Sequence, residues 1–330
     1  MAMTTKALSE RLSRNRFLVI GRVGMDFFTD GPDTRAESAP SFQTGMGGSS
    51  ANIAAGLCKL GSEAALVTCV SDDAVGRYCL NQLDHYGVAR DHVRTIGGEP
   101  RTSLAVYETR LEDHQTVIYR NNAADLSLAP EDINTDMIAS ARLLIVSGTA
   151  LCQSPSREAV YAALLAAEQS GTTVLLDLDY RAYNWRNLAD ARACYRLATR
   201  FATLVVGNRE EFDVLGAPVE QGDDAIAKSL LDAPGATRVV FVKAGAEGSR
   251  VYCDDDAPIE QAVFSVQAKK PFGAGDAYAG AICAGLLQGL PMQECVKRGS
   301  AAAAIVVAGV SCSDASPTES ELSSFMSQHS

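Results

Sequence analysis

No stretch of this 330-residue chain stays apolar for the ~18 residues that a membrane-spanning helix needs, and its mean hydropathy is +0.00. The opening "MAMTTKALSERLSRNR" lacks the apolar segment of a secretion signal and reads as a frayed basic tail or a short helix. Positive charge is scarce, with 29 Lys and Arg against 40 Asp and Glu, a net charge of −11. That excludes a general nucleic-acid binder, which needs a basic face, but not a local cationic pocket for a small anion. The four histidines, His85, His92, His114 and His329, are scattered, which argues against both a His relay and a zinc site. No C-x-x-C pair occurs among the nine cysteines. They lie in apolar segments, as Cys58, Cys283 and Cys295 do, and read as buried free thiols of a reducing cytoplasm. Also missing is G-x-x-x-x-G-K-[ST], so this is not a P-loop protein.

What is present is an alternation of strand-like and helix-like segments in a chain that is 47% hydrophobic, enough for a large core. "FLVIGRVGMD" reads as a strand ending in a glycine turn, with Asp26 at its end. "SANIAAGLCKLG" reads as a helix capped by Ser49 or Ser50 and stopped by Gly61. The runs LLIV, VLLDL, LVV and VVFV are continuous rather than alternating, as in parallel strands covered on both faces. The pattern predicts a doubly wound, mainly parallel α/β sheet. Segments 24–46 and 98–123 break the rhythm and predict a small β lid within a single 330-residue domain.

The stretch "KKPFGAGDAYAGAICAGLLQG" raises the chemical question. Gly273, Ala274 and Gly275 put bare backbone at what reads as a helix start, followed at once by Asp276. Free N–H groups and the positive end of the helix dipole hold an anion there, and small residues let it approach. A carboxylate in the same turn can take a proton. That suits phosphoryl transfer, with the N–H groups holding the developing charge and Asp276 deprotonating the attacking hydroxyl. The alternative is an ordinary helix start packed through its glycines. "TGMGGSSANIA", with Gly45, Gly47, Gly48 and Asn52, misses G-x-G-x-x-G narrowly and is weak alone.

Four landmarks in order, "GRVGMD", "GMGGSSANIAAGLCKLG" with "VSDDAVGRY", "NREE" after a strand, and "FGAGDAYAGA", make the chain resemble the ribokinase-like carbohydrate kinases of the PfkB family over nearly its whole length. The resemblance implies an ATP-dependent kinase acting on a sugar or sugar acid, with a ribokinase-like fold. It implies Asp276 as catalytic base, with Gly273, Ala274 and Gly275 as anion hole. Asp26, Gly47, Gly48 and Asn52 fall at substrate-binding positions. Asn208 and Glu211 match the family's N-x-x-E, linked to phosphate and to Mg²⁺ held through water. Gly245 and Gly248 fall where adenine nucleotide approaches, with Lys243 near the phosphates. A homodimer through the lid is a further implication.

The family's D-T-x-G-A-G-D reads Lys270-Pro271-Phe272-Gly-Ala-Gly-Asp here. A cation replaces the first acid, which favours an anionic ligand and leaves monovalent-cation activation open. "LLDLDYRAYNW", "YRNNAADLSL" and "SCSDASPT" resemble family members acting on six-carbon deoxy keto acids. The substrate so implied is 5-dehydro-2-deoxy-D-gluconate, phosphorylated on its 6-hydroxyl. The alternatives are 2-keto-3-deoxygluconate, another sugar, or an inactive binding relative. Arg120 is expected to pair with the substrate carboxylate and Arg181 with substrate or phosphates, because a guanidinium fork matches either.

Overall fold

The continuous apolar runs become neighbouring strands at the centre of the molecule. This computed structural model describes residues 16–31, 33–110, 112–253, 256–270 and 272–329. The N-terminal tail and Pro271 lie outside them. Among the described residues nine strands form one sheet, in the spatial order Ile259–Gln261, Ser249–Cys253, Val239–Lys243, Leu204–Asn208, Thr173–Asp177, Leu143–Ser147, Arg16–Ile20, Glu63–Ser71, Ala89–Ile96. All pairings are parallel except the two at the Ile259–Gln261 edge. Side chains alternate between two cores. Phe17, Val19 and Ile145 enter one, while Leu18, Ile20, Leu144 and Val146 enter the other. Burying each such side chain contributes about 1.5–3 kcal/mol, which is why these strands tolerate no polar alternation.

The first strand, Arg16–Ile20, lies between Leu143–Ser147 and Glu63–Ser71. The chain winds outward first on the Glu63–Ser71 side and later on the other. This is a topological switch point, and the crevice beyond the carboxyl ends of these strands is where an α/β sheet binds ligands.

A second sheet of four strands covers that crevice: Phe42–Gly47, Gly24–Thr29, Ser103–Tyr107 and Thr116–Tyr119, in that order. It is the lid expected from segments 24–46 and 98–123. Tyr107 of the lid stacks on Phe28 (5.4 Å between centroids) and packs at 4.3 Å on Phe272, tying the lid to the loop before the Gly-Ala-Gly-Asp helix.

Some local expectations change. Asp26 does not end the first strand, which stops at Ile20, but sits inside lid strand Gly24–Thr29. Helix Ser49–Lys59 is capped by Gly48, at φ +94°, and not by either serine. Both serine hydroxyls serve elsewhere: Ser50 donates to the Ile20 carbonyl (3.2 Å) and Ser49 to Asp276. The edge strand Ala89–Ile96 has no clear strand signal in the sequence, because "ARDHVRTI" is largely polar and exposed. Among the described residues no helix is long and apolar enough to cross a membrane.

Candidate active site

Helix Ala274–Leu287 opens at the crevice, with Gly273 as its N-cap at φ +85°. Only glycine fits there, since a Cβ would lie 2.6 Å from the Cys312 sulfur as well as strain the backbone. Asp276 follows in the first turn, half-buried. Its Oδ1 accepts from Ser49 Oγ at 2.9 Å and its Oδ2 from Asn52 Nδ2 at 2.8 Å. Burial raises the Asp276 pKa, with help from the Asp179 charge, and the Asn52 and Ser49 bonds and Arg181 offset this only partly. A carboxyl fixed in direction and made more basic is what proton abstraction needs.

Asn52 therefore holds the Asp276 carboxylate in place. Its Nδ2 is given to Asp276 and its Oδ1 accepts from Ser313 Oγ at 2.7 Å, so its polar atoms are committed within the protein. Gly48 and Asn52 line the cavity around Asp276, whose volume is about 500 Å³. Asp26 and Gly47 stand just behind that wall, where a Cβ on Gly47 would overlap the Asp26 carboxylate. Burial pushes the Asp26 carboxyl up to about 7, with Arg22 opposing and Asp276 reinforcing the shift.

A second cavity of about 300 Å³ adjoins the first. Gly245, Gly248, Val263, Phe264 and Tyr278 make it mostly apolar, a shape and chemistry suited to a flat heteroaromatic ring. Lys243, Gly245, Ala274 and Gly275 belong to both cavities, so the start of helix Ala274–Leu287 lies at their junction. A Cβ on Gly275 would lie 3.2 Å from Lys243 Nζ, which places the lysine opposite the free amides. Lys243 Nζ is 3.7 Å from Asp177 Oδ1 and 4.0 Å from Glu211 Oε2. Burial alone would lower its pKa, but Asp177 and Glu211 outweigh that and raise it, so it stays charged.

Asn208 and Glu211 form a capping box on helix Arg209–Leu215. Glu211 Oε2 accepts from the Asn208 amide (2.8 Å) and Oε1 from the Tyr180 amide (3.2 Å). Both oxygens are thus structural as well as facing the cavity. We expect Glu211→Gln to set an amide NH₂ against one of these N–H groups, costing about 1–3 kcal/mol in addition to any change in magnesium requirement. Thermal melts beside magnesium titrations check this. A change in the magnesium titration with an unaltered Tm would contradict it.

Arg120 does not line this cavity. It is 6% exposed, and its Nε and Nη2 donate to Asp125 Oδ2 while Nη1 and Nη2 donate to the Thr149 carbonyl at 3.1 Å. The fork is spent on a buried carboxylate five residues along the chain. Lys270 does not line the cavity either: its Nζ donates to Cys312 Sγ at 3.4 Å and lies 5.1 Å from the Phe272 ring centre. Arg181 does line the cavity, paired with Asp179 at 2.8 Å and bonded to the Tyr180 carbonyl. Burial would raise Asp179, but the charges of Arg181 and Arg22 and the hydroxyl bond from Ser147 (3.0 Å) hold it below the usual carboxylate range.

Asp177 and Arg22 are charged residues of the cavity wall to which the sequence assigned no role. Burial raises the Asp177 pKa against the pull of Lys243, and its Oδ1 accepts no hydrogen bond among the described residues. The signal for both was position, at the carboxyl ends of central strands.

Two cavities meeting at a helix N-terminus beside a basic carboxyl fit a reaction between two small molecules, one of them carrying phosphates. The fold and this site together define an α/β phosphoryl-transfer enzyme. The chain belongs to the pfkB family carbohydrate kinases, which it matches over residues 14–319. It is 43% identical over 312 residues to a 5-dehydro-2-deoxygluconokinase of Photobacterium profundum, covering 94% of each chain. It is 37% identical over 316 residues to one of Geobacillus kaustophilus, covering 95% of this chain and 94% of that one. In fold it is similar to a putative Ribokinase II in complex with ATP and Mg²⁺ from E. coli (TM-score 0.85, 19% identical, 96% of this chain and 100% of that one). A fructokinase with bound ATP from Xylella fastidiosa is also similar (TM-score 0.83, 21% identical, 96% and 99%).

Proposed function

We propose that this kinase transfers the γ-phosphoryl group of ATP to the 6-hydroxyl of 5-dehydro-2-deoxy-D-gluconate. The observation that carries the chemistry is Asp276, oriented by Ser49 and Asn52 at the junction of a polar and an apolar cavity. The substrate is supported by relatives named 5-dehydro-2-deoxygluconokinase, among them those at 43% and 37% identity. The adenine ring fits the apolar cavity and the keto acid the polar one. Asp276 takes the proton of the 6-hydroxyl as its oxygen forms a bond to the γ-phosphorus. The bond to the β-phosphate bridging oxygen breaks, and ADP leaves with that electron pair. Backbone N–H groups at Ala274, Gly275 and Asp276 and the Lys243 ammonium face the charge spread over the moving group.

The residues also fit a magnesium ion. Among the described residues no three His, Cys, Asp or Glu converge to ligate a metal directly. The Asp177 oxygen that accepts no hydrogen bond and the neighbouring Glu211 and Asn208 suit an ion held through its waters and the phosphates. Bound there, magnesium would neutralise phosphate charge.

The free state of all nine cysteines fits a reducing cytoplasm. Exposed Phe42, Val117 and Tyr119, on the lid's two edge strands, fit a homodimer through the lid, which the mass in solution decides.

A panel of keto acids and neutral sugars with ATP and magnesium tests the substrate. The expected result is the highest kcat/KM for 5-dehydro-2-deoxygluconate. Preference for 2-keto-3-deoxygluconate or a neutral hexose would overturn this substrate and leave the kinase class intact.

A further inference from the structure

With Arg120 committed to Asp125, the carboxylate of an acid substrate needs another cation. We propose that Arg22 is that residue, the specificity determinant that selects an acid over a neutral sugar. This rests on the substrate reading above.

Arg22 sits in the three-residue turn between the first sheet strand and the first lid strand, at the switch point of the sheet. It is 6% exposed, lines the cavity that holds Asp276, and its Nε is buried with no hydrogen-bond partner among the described residues. A buried guanidinium with an unmet donor is costly to leave alone and is stabilised by an anion that completes it. The nearby acids do not fill the role. Asp179 feels the Arg22 charge but gives its close pair to Arg181. Asp26 feels it too, but makes no ion pair with Arg22 among the described residues.

The other cations near the cavity are spoken for. Arg181 is bound to Asp179 and the Tyr180 carbonyl, Lys243 lies with Asp177 and Glu211, and Lys270 bonds Cys312. Arg22 is also built to stay in place. Its carbonyl accepts from the Ala51 amide (3.3 Å), and Gly48 packs so closely that a Cβ there would lie 2.5 Å from that oxygen. With its carbonyl fixed and its side chain only 6% exposed, Arg22 has little freedom to lose when a carboxylate binds. An arginine fork offers that carboxylate two parallel bonds, which a lysine cannot.

The test compares the 5-dehydro-2-deoxy acid with its primary amide, in wild type, Arg22→Ala and Arg22→Lys, each checked by thermal melt. Wild type is expected to prefer the acid. Arg22→Ala should raise KM for the acid roughly 10–100-fold, leave KM for ATP within about 3-fold, and erase the preference over the amide. Arg22→Lys should recover part of it. Loss of acid and amide activity in equal measure, or a rise in KM for ATP alone, would overturn the proposal while the substrate reading stands. If wild type ignores the acid and turns over neutral hexoses, the substrate reading itself fails, a result visible before any variant is made.

Discussion

Replacing Asp276 by asparagine is expected to lower kcat by about 10²–10⁴-fold, the usual worth of a positioned general base. The substitution is close to isosteric, and the local bonds can be kept. The new Oδ1 can accept from Asn52 Nδ2, while the new NH₂ donates to Ser49 Oγ, which rotates to accept. Folding and ATP binding should therefore survive, and the loss falls on kcat. The wild-type pH profile carries the same information. Burial and the Asp179 charge raise the Asp276 pKa, so activity should fall with decreasing pH through a limb above the ordinary aspartate value of about 3.9. It falls because the protonated form can accept no proton. Asp276→Asn should lack that limb. Near wild-type turnover in the variant would remove Asp276 from the mechanism.

The second large effect is expected at Gly275. Gly275→Val should lower kcat/KM for ATP by about 10²–10³-fold, the scale of losing an oxyanion-type donor. A side chain here projects toward Lys243, only 3.2 Å from its Nζ at the Cβ alone, into the gap where the two cavities join. Two further methyl groups would keep phosphates from the helix amides. The fold should tolerate the change, because Gly275 lies within the helix without positive φ, unlike Gly273. Melting temperature is expected to move by a few degrees at most while ATP kinetics collapse. Unchanged ATP kinetics would show that phosphates do not bind at this helix start.

The parts of this account legible in the sequence are those set by local chemistry. Uninterrupted runs such as LLIV and VVFV gave central strands because both faces are buried, and the Gly-Ala-Gly-Asp helix start follows from what backbone and dipole do at any N-terminus. N-x-x-E was legible as a motif, although its capping-box role, with both Glu211 oxygens engaged, needed the fold. Charge recognition was not legible. Arg120 and Arg22 are equivalent as residues, and only the tertiary setting gives one to Asp125 and Thr149 and leaves the other facing the cavity. Asn52 was legible as a site residue, but its partner lies 224 positions away at Asp276. The cap of helix Ser49–Lys59 was misplaced because the serine hydroxyls are taken by tertiary bonds, and glycine alone suits the left-handed turn before them.

The measurement that bears most directly on the central claim is a structure of the ternary complex with 5-dehydro-2-deoxygluconate, magnesium and a non-hydrolysable ATP analogue. The account predicts the adenine against Gly248 and Phe264, the terminal phosphate over the amides of Ala274 and Gly275, and the 6-hydroxyl within hydrogen-bond distance of the Asp276 carboxylate. A sugar acid bound with its 6-hydroxyl away from Asp276, or a nucleotide whose phosphates avoid this helix start, would contradict it.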